Sequence, residues 1–217
     1  MEPVRRESTI HLTSPRAAAV AGIVFSALFI VSLVLIRLVV PPDPQDAGAW
    51  IVRDSEALNV ALYLLPFAGI AFLWFIGVLR DCMGRYEDRF FATVFLGSGL
   101  LFLASLFVAG AVSAGVLYAY TNAPGGHMET GLYSFGRVIV DKIMNVYALK
   151  MAAVFMVSTS TVAIRTRIFP RWMAWLGYTL ALLLLLSLGY LYWVPLIFPL
   201  WVLLISGYIL IANLKKR

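Results

Sequence analysis

Six long apolar stretches divide this chain, and clusters of arginine and lysine occupy every second gap between them. An α-helix needs about 20 predominantly apolar residues to cross roughly 30 Å of hydrocarbon. The pattern therefore predicts an all-α fold, a polytopic transmembrane helical bundle with six spans. The predicted spans are about 17–40, 56–79, 90–120, 137–164, 172–188 and 194–212.

The composition favours lipid as the solvent of this fold. The chain of 217 residues is 62% hydrophobic and 13% charged, whereas soluble domains carry about 25% charged residues. A water-soluble domain of this size would not bury so much apolar surface. The spans occupy residues 17–214, between an N-terminal tail (1–16) and a basic C-terminal tail (215–217), and leave no room for a separate soluble domain.

The basic clusters predict the orientation of the spans. Twelve of the 17 lysines and arginines fall on one side of a six-span arrangement, and an excess of cations marks the cytoplasmic face. We therefore expect both termini in the cytoplasm. The cations meet anionic lipid there, and since no soluble module gathers them, nucleic acid is not an expected partner. The twelve are Arg5, Arg6, Arg16, Arg80, Arg85, Arg89, Arg165, Arg167, Arg171, Lys215, Lys216 and Arg217.

Lys150 is the polar group that the predicted architecture makes most expensive. At 1.5 Å per residue it lies roughly 21 Å from the inner boundary of span 4, where a lysine costs about 2.5–3.5 kcal/mol unless it is satisfied. Three alternatives remain open. Its stem carries the ammonium to the interface, it pairs with a carboxylate that locks the bundle, or it belongs to a ligand or ion pathway.

Other polar residues are candidate members of the same site. Glu56, Asn59 and Tyr63 share one face near the outer end of span 2, since their spacing is i, i+3 and i+7. Span 4 adds four further candidates, Asp141, Asn145, Tyr147 and Lys150. Tyr147 shares the helical face of Lys150, and Asp141 has the i,i+4 spacing that allows pairing with Arg137. Glu56 is also interpretable as a solvated helix-start carboxylate, and Asn145 as an interhelical bond. Together these residues predict a polar pocket that opens outward between spans 2 and 4.

The sequence offers no constellation for catalysis, a metal or a cofactor. The histidines, His11 and His127, fall outside the spans, so no serine has a histidine base within reach. His127 and Glu129 are better interpreted as a solvated loop than as metal ligands. Cys82 is a lone cysteine, which excludes CxxC motifs and an intrachain disulfide. We therefore expect no catalytic residue, no metal and no cofactor.

Span 3 carries small residues in its second half. The spacing of Ala111 and Gly115 is typical of faces that let two helices approach closely. The sequence therefore predicts a packing seam here, and the partners left open are a second copy of the chain or another membrane subunit.

Three segments resemble a known group of proteins. They are NVALYLLPFAGIAFLWFIGVLRD (59–81), EDRFFATVFLGSGLLF (87–102) and FPRWMAWLGYTLALLLL (169–185). They resemble uncharacterised, mainly actinobacterial, six-span integral membrane proteins of unknown function. The resemblance covers most of the chain from span 1 onward and implies a bacterial cytoplasmic membrane. It carries no activity and no residue roles.

Three hypotheses about function follow, and different observations distinguish them. The first is a non-enzymatic membrane protein that binds a small molecule or lipid, or serves as an accessory subunit. The second is a small transporter or channel subunit with a polar pathway around Lys150. The third is a membrane-embedded enzyme, which the missing nucleophile and base disfavour. A binding protein should have a pocket closed beneath, whereas a transporter needs a path onward to the cytoplasm. An accessory protein should instead expose the small-residue seam.

Overall fold

The computed structural model describes residues 15–41, 49–83, 89–122, 130–166, 169–187 and 193–214, and these ranges are helical and contain no β-strand. The predicted all-α fold is therefore confirmed. A π-helical segment, Ile143–Ala148, joins α4 to α5 without a break, and a 3-10 turn, Val194–Leu196, precedes α7. The α-helices are α1 (Pro15–Val39), α2 (Ala49–Met83), α3 (Arg89–Thr121), α4 (Thr130–Lys142), α5 (Leu149–Thr166), α6 (Arg171–Leu186) and α7 (Ile197–Leu214).

Five helical stretches of the described ranges are long and apolar enough to cross a membrane, which supports a multi-pass membrane protein. They are Arg16–Val39, Asp54–Arg80, Ala92–Thr121, Gly131–Arg165 and Val194–Ala212, and they correspond to predicted spans 1, 2, 3, 4 and 6. The predicted span 172–188 corresponds to α6, which is apolar but has only 16 residues. At 1.5 Å per residue α6 is about 24 Å long.

Several predictions fall on residues outside the described ranges. The N-terminal tail up to residue 14 and the basic residues 215–217 lie there, as do His127 and Glu129. Span 4 was predicted to begin at residue 137, but its helix extends back to Thr130. The predicted start of span 2 at residue 56 has a structural counterpart, because α2 departs from helical geometry at Asp54 (φ −120°, ψ 15°).

Phenylalanines fill the centre of the bundle. Their ring centroids lie 4.6–6.5 Å apart, in stacked, tilted and edge-on pairs. Lipid tails are as apolar as these side chains, so close packing rather than escape from water holds helices together in a bilayer. Aromatic pairs at such distances contribute about 0.5–1.5 kcal/mol each beyond their buried area. The cluster consists of Phe25, Phe29, Phe72, Phe75, Phe95, Phe102, Phe155 and Phe198.

Glycines bring three helix pairs into close contact. A Cβ added at Gly22 of α1 would overlap Ser206 Oγ of α7, and one at Gly177 of α6 would overlap Ser160 Oγ of α5 and lie 3.0 Å from Trp201 Nε1 of α7. Small residues of this kind let membrane helices approach each other's backbones. The chain thus needs glycine at both positions for α1, α5, α6 and α7 to pack as they do.

Candidate functional site

A cavity of about 850 Å³ lies at one end of the bundle. It is bounded by the C-terminal end of α1, the N-terminal half of α2, the C-terminal half of α3, and α4 with the π-helical segment. Apolar side chains make most of its wall, among them Leu33, Leu58, Leu62, Leu117 and Met144. Its volume lies within the roughly 300–1,000 Å³ typical of small-molecule sites.

The inner end of the cavity meets the phenylalanine cluster. Phe29 lines the cavity, beside Leu65 and Leu106. Phe29 stacks on Phe25 at 5.5 Å between ring centroids and meets Phe102 edge-on at 5.9 Å. All three rings are buried, so beneath the cavity the bundle is packed with aromatic side chains.

Arg137 links two helices at the end of the cavity that lies near Pro41. Its Nη2 donates to the backbone oxygen of Pro41 at 2.7 Å, its Nη1 donates to the Tyr133 hydroxyl at 3.5 Å, and its guanidinium lies 5.8 Å from the centroid of the Tyr133 ring. Tyr133 is only 2% exposed. These contacts connect α4 to the end of α1, where the chain has left its helix at Pro41.

The π-helical segment contributes a side-chain amide, that of Asn145, to the cavity wall. Asn145 is 8% exposed, lines the cavity, and donates from Nδ2 to Asp141 Oδ1 at 2.5 Å. The amide of Leu149 donates to Met144 O, five residues back. Such i→i+5 geometry is rare, and within α-helices it is frequent at functional sites. The structure thus bonds Asp141 to Asn145, whereas the spacing had suggested a pair with Arg137.

Lys150 lies away from the cavity, at the C-terminal end of α6. Its Nζ donates to three backbone oxygens, those of Leu184 at 2.9 Å, Leu185 at 2.5 Å and Ser187 at 2.6 Å. An ammonium has three N–H donors, so these bonds use all of them. The last four carbonyls of a helix lack partners within it. Lys150 donates to two of those carbonyls in α6, a helix of only 16 residues, and to the residue that follows it. None of the three interpretations of Lys150 from sequence had a helix end as its partner.

The structure brings together only two of the predicted site residues in the cavity, Asp141 and Asn145. Glu56 and Asn59 are exposed on α2, Tyr63 is 74% exposed and Tyr147 is 63% exposed. These four residues and Lys150 are not among the cavity's lining residues. The pocket therefore lies between α1, α2, α3 and α4, rather than around the polar face of α2.

Five polar lining residues were not predicted as site members from sequence. They are Arg37, Ser113, Tyr133, Arg137 and Lys142. One signal was available, because Arg37 is an ionisable residue inside the predicted first span. Arg137 and Lys142 lie near the predicted end of span 4, Tyr133 precedes that span, and Ser113 lies within span 3, so only the packing of four helices brings them to one cavity.

Comparison with known proteins adds no family to these observations. No protein-family model, curated protein or solved structure matches the chain. The resemblance carried by residues 59–81, 87–102 and 169–185 therefore stays a prediction. In the described part of the chain, no group of three or more His, Cys, Asp or Glu residues could hold a metal ion.

Proposed function

We propose that this chain is a non-enzymatic membrane protein that holds a small amphipathic molecule or lipid in the cavity between α1, α2, α3 and α4. The single observation that carries the proposal is a cavity of about 850 Å³ with apolar walls and charged residues toward one end. Such a cavity with a few convergent polar groups is the default form of a ligand site. The packed phenylalanines beneath it favour binding over a conducting path.

We further propose six spans with both termini in the cytoplasm of a bacterial cell, in the cytoplasmic membrane. The contact between Lys150 and α6 supports a membrane-crossing α6. Counted at 1.5 Å per residue from Arg165 and from Arg171, Lys150 and Leu186 both lie roughly 22 Å from the inner boundary. A helix that ends within hydrocarbon must have its carbonyls satisfied, and the Lys150 ammonium does this. The basic helix ends then face anionic lipid of the inner leaflet.

This orientation places the cavity in the outer half of the membrane. At 1.5 Å per residue, Phe29 and Leu106 lie roughly 20 Å above the inner boundary, while Arg37 and Asn145 lie roughly 30 Å above it. Hydrocarbon is about 30 Å thick. The apolar floor then lies among lipid tails and the charged rim lies at the level of the head groups, which is how an amphipathic molecule would sit.

Filling the cavity tests the proposal. Ser113 lines the cavity, and Ala114, the next residue of α3, is exposed. In purified, delipidated protein we expect Ser113→Phe to weaken binding of a fluorescent fatty acid such as cis-parinaric acid at least tenfold, and Ala114→Phe to leave it unchanged. Equal effects of the two variants, or no saturable binding by the folded native chain, would refute the proposal.

An accessory role is a second candidate, because part of the small-residue face of α3 is exposed. Ala111, Ala114 and Gly115 point away from the bundle, and a Cβ added at Gly115 would meet no atom within 4 Å. Faces of this kind are where membrane helices associate, either with a second copy or with another subunit. Gly115→Leu should then lower the apparent mass of the detergent-solubilised complex, while an unchanged mass would argue against this role.

A further inference from the structure

An apolar groove of about 330 Å³ runs along the outside of the bundle between α3 and α4. Every described residue that lines it is apolar, and its walls include Val112, Gly115 and Ala119 of α3 with Leu132 and Phe135 of α4. Leu132 and Phe135 are exposed. Contiguous apolar surface of this kind marks a site that meets a membrane, a ligand or another protein.

The groove and the cavity share two wall residues, Val116 of α3 and Gly136 of α4. These two residues pack against each other, because a Cβ added at Gly136 would overlap Val116 Cγ2. Gly136 is buried, and Val116 is half-buried. A valine side chain packed on a glycine therefore lies between the cavity and the groove.

This barrier is thin, and it can open without unfolding. Gly136 has no side chain that interlocks with Val116, and a valine in a helix holds one χ1 rotamer about 90% of the time. α4 packs mainly against α3 and the π-helical segment, so a small displacement of α4 also widens the seam. Rotamer changes and helix displacements occur on timescales of picoseconds to milliseconds.

The proposed orientation brings the groove to the outer leaflet of the membrane. At 1.5 Å per residue from Ala92, Val112 and Val116 lie roughly 30 and 36 Å above the inner boundary. Hydrocarbon ends at about 30 Å, so the groove begins at its outer edge and continues among the head groups. An amphiphile in the outer leaflet can reach the groove without entering water, whereas the Arg137–Pro41 bond crosses the outer end of the cavity.

We infer that the groove receives the hydrocarbon chain of an outer-leaflet amphiphile and is the side entrance to the cavity, with the Val116 side chain as its gate. This inference rests on the proposed binding function and adds to it the source of the ligand, which is the surrounding membrane, and its route. A gate sets how fast a ligand enters and leaves. An ordinary contact residue instead acts mostly on the rate of release.

A crosslink across the seam tests the route. In a Cys82→Ser background, Val116→Cys with Gly136→Cys places two Cβ atoms about 3.7 Å apart, which suits a disulfide. Delipidated protein in detergent is mixed with cis-parinaric acid to follow entry, and then with excess oleate to follow release. We expect oxidation to lower both rate constants by about tenfold or more, and reduction of the same protein to restore them. Equal rates in the two states would refute the entrance while the binding cavity survives.

Shortening the gate should have the opposite effect. Val116→Ala should raise both rate constants by about tenfold, because passage no longer waits for a rotamer that valine adopts about a tenth of the time. The dissociation constant should then change far less than either rate. Val108→Ala is the control, since Val108 is an exposed valine of α3 that lines neither the groove nor the cavity. A change in the release rate alone would make Val116 a contact residue and refute the gate.

Position 115 distinguishes a lipid from a second copy of the chain in the groove. Gly115 lines the groove but not the cavity, and a Cβ added there meets no atom within 4 Å. Gly115→Leu should therefore fill the groove and slow both entry and release, and unchanged rates would refute the route. Faster exchange together with a lower mass of the complex would mean that a second copy covers the groove, which overturns the inference. If the folded native chain binds no parinaric acid, the binding function fails and the inference fails with it.

Discussion

Lys150 Nζ lies 2.9 Å from the backbone oxygen of Leu184, a residue 34 positions later in the chain. With the bonds to Leu185 and Ser187, this contact makes a side chain of α5 the cap of α6. A charge that sequence marks as costly is therefore the group that permits a 16-residue helix to end where it does. These hydrogen bonds satisfy the buried ammonium and the unpaired carbonyls at the same time, so they reduce the desolvation cost of both.

Removing this ammonium should destabilise the bundle. We expect Lys150→Met to lower the free energy of unfolding by about 2–4 kcal/mol, because several carbonyls at the end of α6 lose their partners. Thermal unfolding in detergent micelles measures the change. Lys142 is exposed at the end of α4, which continues through the π-helical segment into α5. Lys142→Met should therefore change the free energy of unfolding by less than about 0.5 kcal/mol. A variant at position 150 as stable as the native chain would contradict the capping role.

Gly177 should be intolerant of even one methyl group. Because an added Cβ would overlap Ser160 Oγ and lie 3.0 Å from Trp201 Nε1, Gly177→Ala should cost about 1–3 kcal/mol through overpacking. The matched control is Gly207→Ala, where an added Cβ meets no atom within 4 Å. Unfolding in detergent compares the two, and equal stabilities would show that α5 and α6 do not approach as described.

Ser160 provides a second test of the same contact. Among the described residues its buried Oγ has no hydrogen-bond partner, so Ser160→Ala should be neutral or stabilising. Combined with Gly177→Ala it should recover part of the lost stability, and the interaction free energy from this double-mutant cycle should have a rescuing sign. Additive effects would place the strain at Trp201 alone.

The sequence predicted well those features that depend on a single helix, such as where the helix begins and ends. The predicted limits of span 3, 90–120, differ by a residue from α3, since hydrophobicity sets both ends. Span 4 was predicted to begin at Arg137, seven residues after its helix begins at Thr130, and Pro41 O and Tyr133 hold Arg137 within the bundle. Lys150 was recognised as costly, but its partners are backbone carbonyls, which every position carries and no residue type marks. The cavity is formed by residues of four helices, and the hydrophobic periodicity within any one helix does not predict how the four pack together.

Labelling single cysteines should establish the number of crossings. In a Cys82→Ser background, Asn122→Cys at the end of α3 and Trp193→Cys before α7 are both at exposed positions. With six spans and cytoplasmic termini, a membrane-impermeant maleimide should label both in intact cells. Leu214→Cys, at the exposed end of α7, should react only after the membrane is permeabilised. Labelling of Leu214→Cys from outside, with Trp193→Cys protected, would show that α6 does not cross.

A disulfide between α3 and α4 should form where these helices wall the cavity. A Cβ added at Gly136 would lie 3.7 Å from the Cβ of Val116, and disulfides join residues whose Cβ atoms are about 3.5–4.5 Å apart. In the Cys82→Ser background we therefore expect Val116→Cys with Gly136→Cys to oxidise readily, and a shift in gel mobility after proteolysis between the helices measures the bond.

Position 115 supplies the control for this crosslink. A Cβ added at Gly115 has no atom within 4 Å, so Gly115→Cys with Gly136→Cys should remain reduced under the same oxidant. Because Val116 and Gly136 both line the cavity, the bond fixes the wall that α4 contributes without changing a charged residue. Efficient crosslinking of the 115 pair and none of the 116 pair would mean that α3 is rotated about its axis, which would move Ser113 away from the cavity as well.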